Sequence, residues 1–310
     1  MEKRSRKSKR KFIITQCILI FFIILFLILY FYYKDINNRN IIKYNEKVKE
    51  LSNAILNKEN ELKELTDYYN SNSNIDDKIN NLKDEYFNYL KELELDVKNG
   101  KKNIKIAYLT FDDGPYYNTY KVLDILDQHN VKATFFTTTV NGTYCYDNRK
   151  YECFNLYKEY IKRGHTIANH TYTHAIRYGL YNSVNSFIDA VKKQEEQVKK
   201  YASNYKTNIL RFPGGSSTAG SLKNNIVKEL QKLGYGYVDW NGYDGDGWNL
   251  SSKEEAWKYF TSSINEKIEV ILLHDYSRYT TQLLPDMIKY LEDNNYILLP
   301  LFYDSIMIKK

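Results

Sequence analysis

The chain has 310 residues, of which 43% are hydrophobic and 27% are charged, so it can form one large domain with a substantial core and some appendages rather than two catalytic domains. Its formal net charge is +7, but residues 1–11 hold seven Lys and Arg and one Glu, which leaves a net charge of only +1 on the other 299 residues. This balance excludes the basic surface that a phosphate backbone requires, and we expect no nucleic-acid partner.

An apolar segment follows the basic amino terminus. Residues 12–33 read FIITQCILIFFIILFLILYFYY, which is 22 residues without a charge. At about 1.5 Å per residue, such a helix spans the roughly 30 Å hydrocarbon core of a bilayer. A cleaved signal peptide is the competing interpretation, but the following YYKDINNRN offers no small-residue cleavage site. We therefore predict a cytoplasmic tail at 1–11, a single transmembrane helix at 12–33 in the lipid bilayer, and an extracellular location for the remainder.

A polar segment at 34–100 separates this span from the rest of the chain and contains no proline. Apolar residues recur there at heptad-like spacing in two stripes: Val48, Leu51, Ile55, Leu62 and Leu65, then Ile79, Leu82, Tyr86, Tyr89 and Leu93. The pattern predicts two short amphipathic helices. They would form a solvated stalk or a hairpin, or would associate with a second chain as a parallel coiled coil.

Two of the three cysteines lie outside the predicted membrane span. Cys17 falls within the span, whereas Cys145 and Cys153 fall in a loop rich in Tyr and Asn. In an extracellular compartment these two cysteines would form a disulfide, with two reduced thiols as the alternative.

Short apolar strands alternate with amphipathic helices over residues 101–310. Seven segments have the composition of strands: IKIAYLTF, ATFFTTT, GHTIANH, ILRFP, GYVDW, VILLHD and YILLPLF. This alternation predicts an α/β, barrel-like domain. Reactive residues in such barrels gather at the carboxyl ends of the strands, and here those ends carry Asp, His and Arg.

Two pairs of polar residues at these strand ends are typical of a metal site. Asp112 and Asp113 end the first strand, and His170 and His174 are four residues apart in HTIANHTYTH. On a helical turn this spacing would place both imidazoles on one face, where they could share a divalent ion. Two histidines and one Asp leave an open ligand position, as in catalytic zinc sites. One aspartate would bind the ion while its neighbour faces the water that the ion activates.

The motifs TFDDGP, HTYTH, RFPGG, DWNGYDGD and LLHDY follow one another in the order and spacing of the polysaccharide deacetylases. Over about 104–308, roughly two thirds of its length, the chain resembles the NodB-homology domain of carbohydrate esterase family four, and in particular its membrane-anchored peptidoglycan N-acetylglucosamine deacetylases. This resemblance implies a deformed (β/α) barrel of about seven strands. It also implies metal-dependent hydrolysis of N-acetyl groups on a sugar polymer, with zinc as the expected ion and cobalt or another divalent ion as the alternative.

The resemblance also assigns the residues of the metal site. It implies that Asp113, His170 and His174 are the metal ligands. Asp112 would be the general base, which accepts a proton from the attacking water. Arg211 would hold Asp112 in its charged form, because a nearby opposite charge favours the carboxylate.

Further roles fall on the third, fourth and fifth motifs. The backbone N–H of Gly214, just after Pro213, would stabilise the oxyanion together with the metal. His274 would protonate the departing amine. An Asp of the fourth motif would support His274: a count without gaps from the start of that motif gives Asp246, and Asp244 is the alternative.

The chain departs from the family at two aromatic positions. Many relatives have Tyr where this chain has Gly214, and the Trp that usually follows the supporting Asp is replaced by Gly247, with Trp248 one residue later. Trp240 and Trp248 are candidates for a platform that binds sugar, although an aromatic residue near a strand end is as often part of the core.

Two rival functions are a glycosidase and a non-catalytic wall-binding protein. A glycosidase needs two carboxylates about 5 to 10 Å apart across a glycosidic bond, which neighbouring residues of one strand do not supply. A non-catalytic homologue would be indicated by loss of the base or of a ligand, and none is lost. The expected substrate is N-acetylglucosamine of peptidoglycan; N-acetylmuramic acid, an exported poly-N-acetylglucosamine and chitin-like oligomers are the alternatives.

Overall fold

The structure, a computed structural model, describes residues 34–35, 38–58, 60, 73–138, 150–302 and 309. The predicted tail and transmembrane helix, 1–33, lie outside these residues. Among the helices that are described, none is long and apolar enough to span a bilayer. The chain divides into two units, Met1–Glu46 and Lys47–Lys310, and all the strands lie in the second unit.

Helices and parallel strands alternate along this unit, as the sequence predicts. The first helix, α1, covers 38–58 and begins in the first unit. The other elements are α2 Ser73–Lys98, β1 Lys105–Asp112, α3 Thr119–Gln128, β2 Thr134–Thr137, α4 Lys150–Lys162, β3 Thr166–Asn169, α5 Val184–Tyr201, β4 Ile209–Leu210, α6 Lys223–Lys232, β5 Gly236–Tyr237, β6 Gly242–Tyr243, α7 Lys253–Ser263, β7 Ile268–His274, α8 Arg278–Asp293 and β8 Tyr296–Leu298. Short 3₁₀ helices cover Ile176–Tyr178 and Ser216–Leu222.

The strands form one curved sheet in which every pairing is parallel. Seven of them follow the order β5-β4-β3-β2-β1-β7-β6, and β8 pairs with the start of β1. All seven predicted strands are present. The short strand β6 was not predicted, because its two residues are too few to produce a periodic pattern. The path of hydrogen-bonded strands ends at β5 on one side and β6 on the other, so the sheet is an open, deformed barrel.

The central strand β1 determines where the carboxyl ends meet. All its residues except Lys105 are buried, which is expected for a parallel strand covered on both faces. The register places Asp112, its last residue, opposite His274, the last residue of β7. The ends of β1 and β7 therefore bring a predicted base and a predicted acid to one rim.

Three of the helices, α5, α7 and α8, begin at serine caps. The Ser277 hydroxyl accepts a hydrogen bond from the backbone N–H of Thr280, and Ser252 does the same for Glu255 at the start of α7. Such caps satisfy donors that a helix terminus otherwise leaves free. The start of α8 is thus held three residues after His274.

The second half of α2 packs against the sheet. Leu90, Leu93 and Val97 are buried, and the Tyr108 hydroxyl of β1 donates a hydrogen bond to the buried Glu94. The core therefore continues into the segment that the sequence analysis assigned to the stalk. The predicted boundary at residue 100 stays a prediction.

One cysteine of the predicted pair can be placed. Cys153 is buried in α4 and is part of a disulfide bond. Cys145 lies outside the described residues, so the predicted pairing of these two cysteines stays a prediction.

Candidate active site

Three side chains at the rim form a cluster with the composition of a metal site. One ligand atom each from Asp113, His170 and His174 lies within 4.8 Å of the others. Asp113 Oδ1 is 3.7 Å from His170 Nε2 and 3.8 Å from His174 Nε2. The structure thus brings together the three residues predicted to be ligands.

The atoms of this cluster fit a bound cation. Asp113 Oδ1 is buried and has no hydrogen-bond donor within the described part of the chain. His170 Nδ1 is 2.9 Å from the carbonyl oxygen of Arg211. This contact fixes the proton on Nδ1, so that Nε2 is unprotonated and its lone pair can bind a metal ion. Burial is the main cause that lowers the pKa of His170, so its imidazole is neutral, as a ligand must be. A divalent ion would satisfy the orphaned carboxylate oxygen.

A loop, and not a helical turn, connects His170 to His174. The prediction that a helical turn places both imidazoles on one face is therefore wrong. His170 directly follows β3, and Thr171 has a φ of 65°, a left-handed conformation that turns the chain sharply. The next helical residues, Ile176–Tyr178, come only after His174. The spacing of four is correct for the site, but the bend at Thr171 produces the geometry.

The neighbouring aspartates separate because the chain bends between them. Asp112 ends β1 in an extended conformation, whereas Asp113 has a φ of 71°. Its backbone N–H donates to the carbonyl of Phe136 on β2, which holds the turn in place. Strained backbone of this kind is common at functional sites. It directs the second carboxylate to the histidines while the first stays beside Arg211.

Arg211 is fully buried and holds Asp112. Its Nη1 donates to Asp112 Oδ1 at 2.8 Å and to Thr110 Oγ1 at 2.7 Å. Its Nη2 and Nε donate to the carbonyls of Asp239 and Val238, and the guanidinium lies 4.2 Å from the ring centroid of Phe136. Burying such an ion pair is favourable only when its other donors find acceptors, and each of the three nitrogens of Arg211 donates at least one hydrogen bond. Asp112 is thereby fixed as a charged acceptor, and its Oδ2 is 3.6 Å from His170 Nε2.

The geometry favours Asp246 over Asp244 as the partner of His274. Asp246 Oδ1 is 2.6 Å from His274 Nδ1, and Oδ2 accepts the backbone N–H of His274 at 2.7 Å. Burial lowers the pKa of His274, but the charges of Asp246, Asp113 and Asp112 outweigh it and raise the pKa to about 10. His274 Nε2 lies 3.9 Å from Asp113 Oδ2. A protonated imidazole therefore faces the site.

Asp244 is linked to Asp246 through the hydroxyl of Thr280. The Thr280 hydroxyl is 2.7 Å from Oδ2 of Asp244 and also 2.7 Å from Oδ2 of Asp246. One hydroxyl proton serves only one of these contacts. Burial and the charge of Asp246 raise the pKa of Asp244 well above its ordinary value, which favours a protonated Asp244 that can donate to Thr280.

The loop after β4 presents the predicted oxyanion donor. The Pro213 carbonyl accepts a hydrogen bond from Tyr181, and the Gly214 carbonyl accepts one from Thr218. The Gly214 N–H has no acceptor among the residues that can be described, and Gly214 has a φ of 73°. A Cβ at this position would lie only 3.0 Å from Ile176 Cδ1. Ile176 therefore occupies part of the space beside this backbone.

The two predicted platform residues differ in exposure. Trp240 is half-buried, and its ring would be only 3.1 Å from a Cβ at Gly215, so it packs beneath this loop. Trp248 is 60% exposed and makes edge contacts with Tyr243 and Tyr259. Exposure therefore favours Trp248 as a platform, and both assignments stay predictions.

Two threonines of the site were missed by the sequence analysis. Thr110 donates to the carbonyl of Ile271 on β7 while it accepts from Arg211, and Thr280 joins the two aspartates of the fourth motif. Thr110 could have been found from its position two residues before Asp112, on the same face of β1. Thr280 lies in the first turn of α8, where a threonine is ordinary, and no sequence signal distinguishes it.

Comparisons with known proteins agree with this geometry. The family profile for polysaccharide deacetylase matches residues 99–238. The chain is 30% identical over 202 residues to the putative polysaccharide deacetylase YheN of Bacillus subtilis strain 168, covering 62% of this chain and 65% of YheN. It is 30% identical over 217 residues to the peptidoglycan-N-acetylmuramic acid deacetylase PdaA of the same strain, covering 68% of this chain and 74% of PdaA.

A solved structure agrees in fold as well as in sequence. The catalytic domain of peptidoglycan N-acetylglucosamine deacetylase from Eubacterium rectale superposes with a TM-score of 0.60 and 33% identity, covering 67% of this chain and 93% of that domain. The matched regions contain the strand ends that carry Asp112, Asp113, His170, His174 and Arg211. The chain therefore belongs to the polysaccharide deacetylase family and contains the catalytic domain of a deacetylase enzyme.

Proposed function

We propose that this chain hydrolyses N-acetyl groups of a cell-surface polysaccharide in a metal-dependent reaction, with N-acetylglucosamine of peptidoglycan as the leading substrate. One observation carries the proposal: the cluster of Asp113, His170 and His174 lies between an ion-paired Asp112 and a His274 held by Asp246. A base, an acid and a complete set of ligands are thus within a few Å of one another. A non-catalytic wall-binding protein would not need all three.

Asp113, His170 and His174 would hold the divalent ion, with zinc as the leading candidate. Bound there, the ion supplies a Lewis acid for the acetamide carbonyl and lowers the pKa of water. Asp112 accepts the proton of the attacking water, because it is charged and Arg211 fixes its orientation. The N–H of Gly214 donates to the oxyanion that forms when water adds to the carbonyl.

His274 completes the hydrolysis. The C–N bond breaks when the amine nitrogen leaves, and a proton from His274 Nε2 neutralises it, which gives acetate and a free amine. The raised pKa keeps this histidine protonated at neutral pH, because Asp246 stabilises the imidazolium. Asp112 thus accepts a proton and His274 donates one, as an acid and base pair requires.

The choice of peptidoglycan rests on two relatives. The E. rectale protein is named for N-acetylglucosamine and PdaA for N-acetylmuramic acid, and both names specify peptidoglycan. An exported poly-N-acetylglucosamine and chitin-like oligomers are the alternative substrates.

Acetate release tests this proposal. The full chain, purified in detergent and loaded with zinc, should release acetate from N-acetylated peptidoglycan. Chelation should abolish the release, and zinc or cobalt should restore it. Peptidoglycan re-acetylated only on glucosamine or only on muramic acid, poly-N-acetylglucosamine and chitin oligomers serve as parallel substrates.

Two results would contradict the proposal. Full activity in a preparation shown by elemental analysis to be free of metal would exclude the metal-dependent mechanism. Absence of acetate from every one of these polymers, with the ion bound, would favour the non-catalytic alternative.

We also propose that residues 12–33 anchor the chain in the cell membrane with the catalytic domain outside. The proposal is based on the apolar run and the basic residues before it. Protease added to intact, wall-stripped cells should degrade the catalytic domain. A cytoplasmic marker protein should survive as the control, and protection of the domain would contradict an external location.

A further inference from the structure

The site lacks a side chain beside its acid histidine. A Cβ at Gly247 would lie 3.5 Å from His274 Cε1, so a side chain at this position would stand directly against the imidazole. Gly214, on the opposite loop, is also without a side chain. No side chain therefore stands between Gly247 and His274, whereas Ile176 fills part of the space beside Gly214.

Three tyrosines form a row of rings that begins beside His274. The row, here called the tyrosine shelf, consists of Tyr276, Tyr116 and Tyr117. The ring of Tyr276 is 5.0 Å from that of His274 at an angle of 34°. Tyr116 is 6.2 Å from Tyr276, and Tyr117 is 4.3 Å from Tyr116. The shelf therefore leads from the acid histidine toward solvent.

The outer end of the row is more exposed than the end beside His274, and Tyr116 between them is half-buried. His274 is 9% exposed, Tyr276 is 37% exposed and Tyr117 is 55% exposed. Within the described part of the chain, the Tyr276 hydroxyl makes no hydrogen bond. Exposed aromatic surface beside a catalytic site is typical of a ligand contact and is not needed for the core.

The two loops that carry the shelf are fastened to each other. Asn118 Nδ2 donates to the carbonyl of Asp275 at 3.0 Å and to Thr281 Oγ1 at 2.6 Å. The Thr119 hydroxyl donates to the buried carboxylate of Asp275. A Cβ at Gly114 would lie 2.6 Å from that carboxylate, so the loop after β1 lies directly against it. These contacts hold the rings in position before a ligand arrives, which lowers the entropic cost of binding.

We propose that the tyrosine shelf binds the polymer beyond the sugar that is deacetylated and that Tyr117, its outer ring, contacts a sugar that a dimer does not reach, so that the chain acts on polymers and longer oligomers in preference to single sugars or dimers. The proposal rests on the deacetylase function and specifies where its polymer lies. One face of a pyranose ring carries only C–H groups, which pack on an aromatic ring while the hydroxyls stay in water. Tyrosine suits such a contact because its ring is apolar and its hydroxyl is polar.

Tyr117 provides the cleanest test, because no ring contact joins it to His274 among the described residues. In the full chain loaded with zinc, kcat/KM for N-acetylglucosamine oligomers should rise from the dimer to the hexamer. Tyr117→Ala should lower kcat/KM for the hexamer about tenfold and leave the dimer within about twofold, as for loss of an aromatic contact at a binding site. Tyr276→Phe should keep the dependence on chain length, since stacking needs the ring alone.

Leu233→Ala is the matched control. Leu233 is also 37% exposed, but it lies at the carboxyl end of α6, away from the shelf. This variant should deacetylate every oligomer as wild type does. It separates loss of a specific contact from a general effect of removing exposed apolar surface.

A binding measurement decides the proposal independently of turnover. In the Asp112→Asn background, calorimetry should show that Tyr117→Ala weakens hexamer binding about tenfold and dimer binding hardly at all. Equal losses for the dimer and the hexamer, or no loss, would overturn the proposal. The proposal would also be overturned if Trp248→Ala abolished the dependence on chain length and Tyr117→Ala did not. The polymer would then lie on the loop that carries Trp248. If the wild-type protein binds the hexamer through Tyr117 but releases no acetate, the proposal that the shelf binds sugar is supported and the proposed deacetylase function is contradicted.

Discussion

We expect His174→Ala to lose divalent-ion binding and acetate release together. His174 contributes one of three ligand atoms, and its Nε2 is 3.8 Å from Asp113 Oδ1. Affinity for zinc should fall more than about a hundredfold, since even residues that only orient a ligand often contribute about 10- to 100-fold. Elemental analysis after dialysis and acetate release measure the two losses on one sample.

Asp112→Asn should separate the two properties. Asp112 is not needed as a ligand, because Asp113 and the two histidines already complete the set. The asparagine carbonyl oxygen can still accept the hydrogen bond from Arg211, but it cannot accept a proton from water at neutral pH. The variant should keep the ion and lose about 10²- to 10⁴-fold in kcat, the usual contribution of a general base.

His129→Ala is the control for removal of a histidine. His129 caps the carboxyl end of α3 and takes no part in the cluster, so this variant should keep both ion and activity. Thermal unfolding of the three variants should show that each is folded. If Asp112→Asn lost the ion as readily as His174→Ala, Asp112 would be a ligand and the division of roles between the two aspartates would be wrong.

The positions of the site residues could be predicted because they follow from strand order. In a parallel sheet all carboxyl ends lie at one rim, so Asp112, His170, Arg211 and His274 had to meet once their strands were recognised. Seven strands were recognisable because their apolar runs are bounded by polar loops. The pattern of strands in the sequence therefore predicts that a base, an acid and metal ligands lie at one rim of the sheet.

The loop geometry could not be predicted in the same way. The bend at Thr171 depends on a left-handed residue that is neither glycine nor asparagine, for which the sequence carries little signal. The choice between Asp244 and Asp246 depends on the turn at Gly245, which has a φ of 78°. The two aspartates are only two residues apart, so counting along the motif leaves the choice open, and tertiary contacts with His274 and Thr280 are needed to distinguish them.

The pH dependence of activity should distinguish these two aspartates. Asp246 accepts a hydrogen bond from His274 Nδ1 and favours the imidazolium, so its charge raises the pKa of the acid. Activity should fall on the alkaline side as pH rises through that pKa, because His274 then has no proton to donate. Asp246→Asn removes the charge, lowers the pKa of His274 and should move the alkaline limb of kcat/KM about one to three units toward lower pH. The maximal rate should fall as well.

Asp244→Asn is the matched variant with the opposite expectation. Burial and the charge of Asp246 raise the pKa of Asp244, which favours its neutral form. An asparagine amide can donate to the Thr280 hydroxyl as the protonated carboxyl does. Replacing one neutral group by another should therefore leave the alkaline limb in place.

The test depends on the difference between variants and not on the absolute pKa of His274. A cation bound by Asp113 would lower that pKa in wild type, Asp246→Asn and Asp244→Asn alike. The profiles should be recorded with saturating zinc, so that loss of the ion at either extreme of pH does not imitate a titration. A limb that moves for Asp244→Asn and stays for Asp246→Asn would reverse the assignment made from the 2.6 Å contact. If neither variant moved the limb, the group that titrates would not be His274. Asp239 could not take the place of Asp246, because both of its carboxylate oxygens are bound by Ser216.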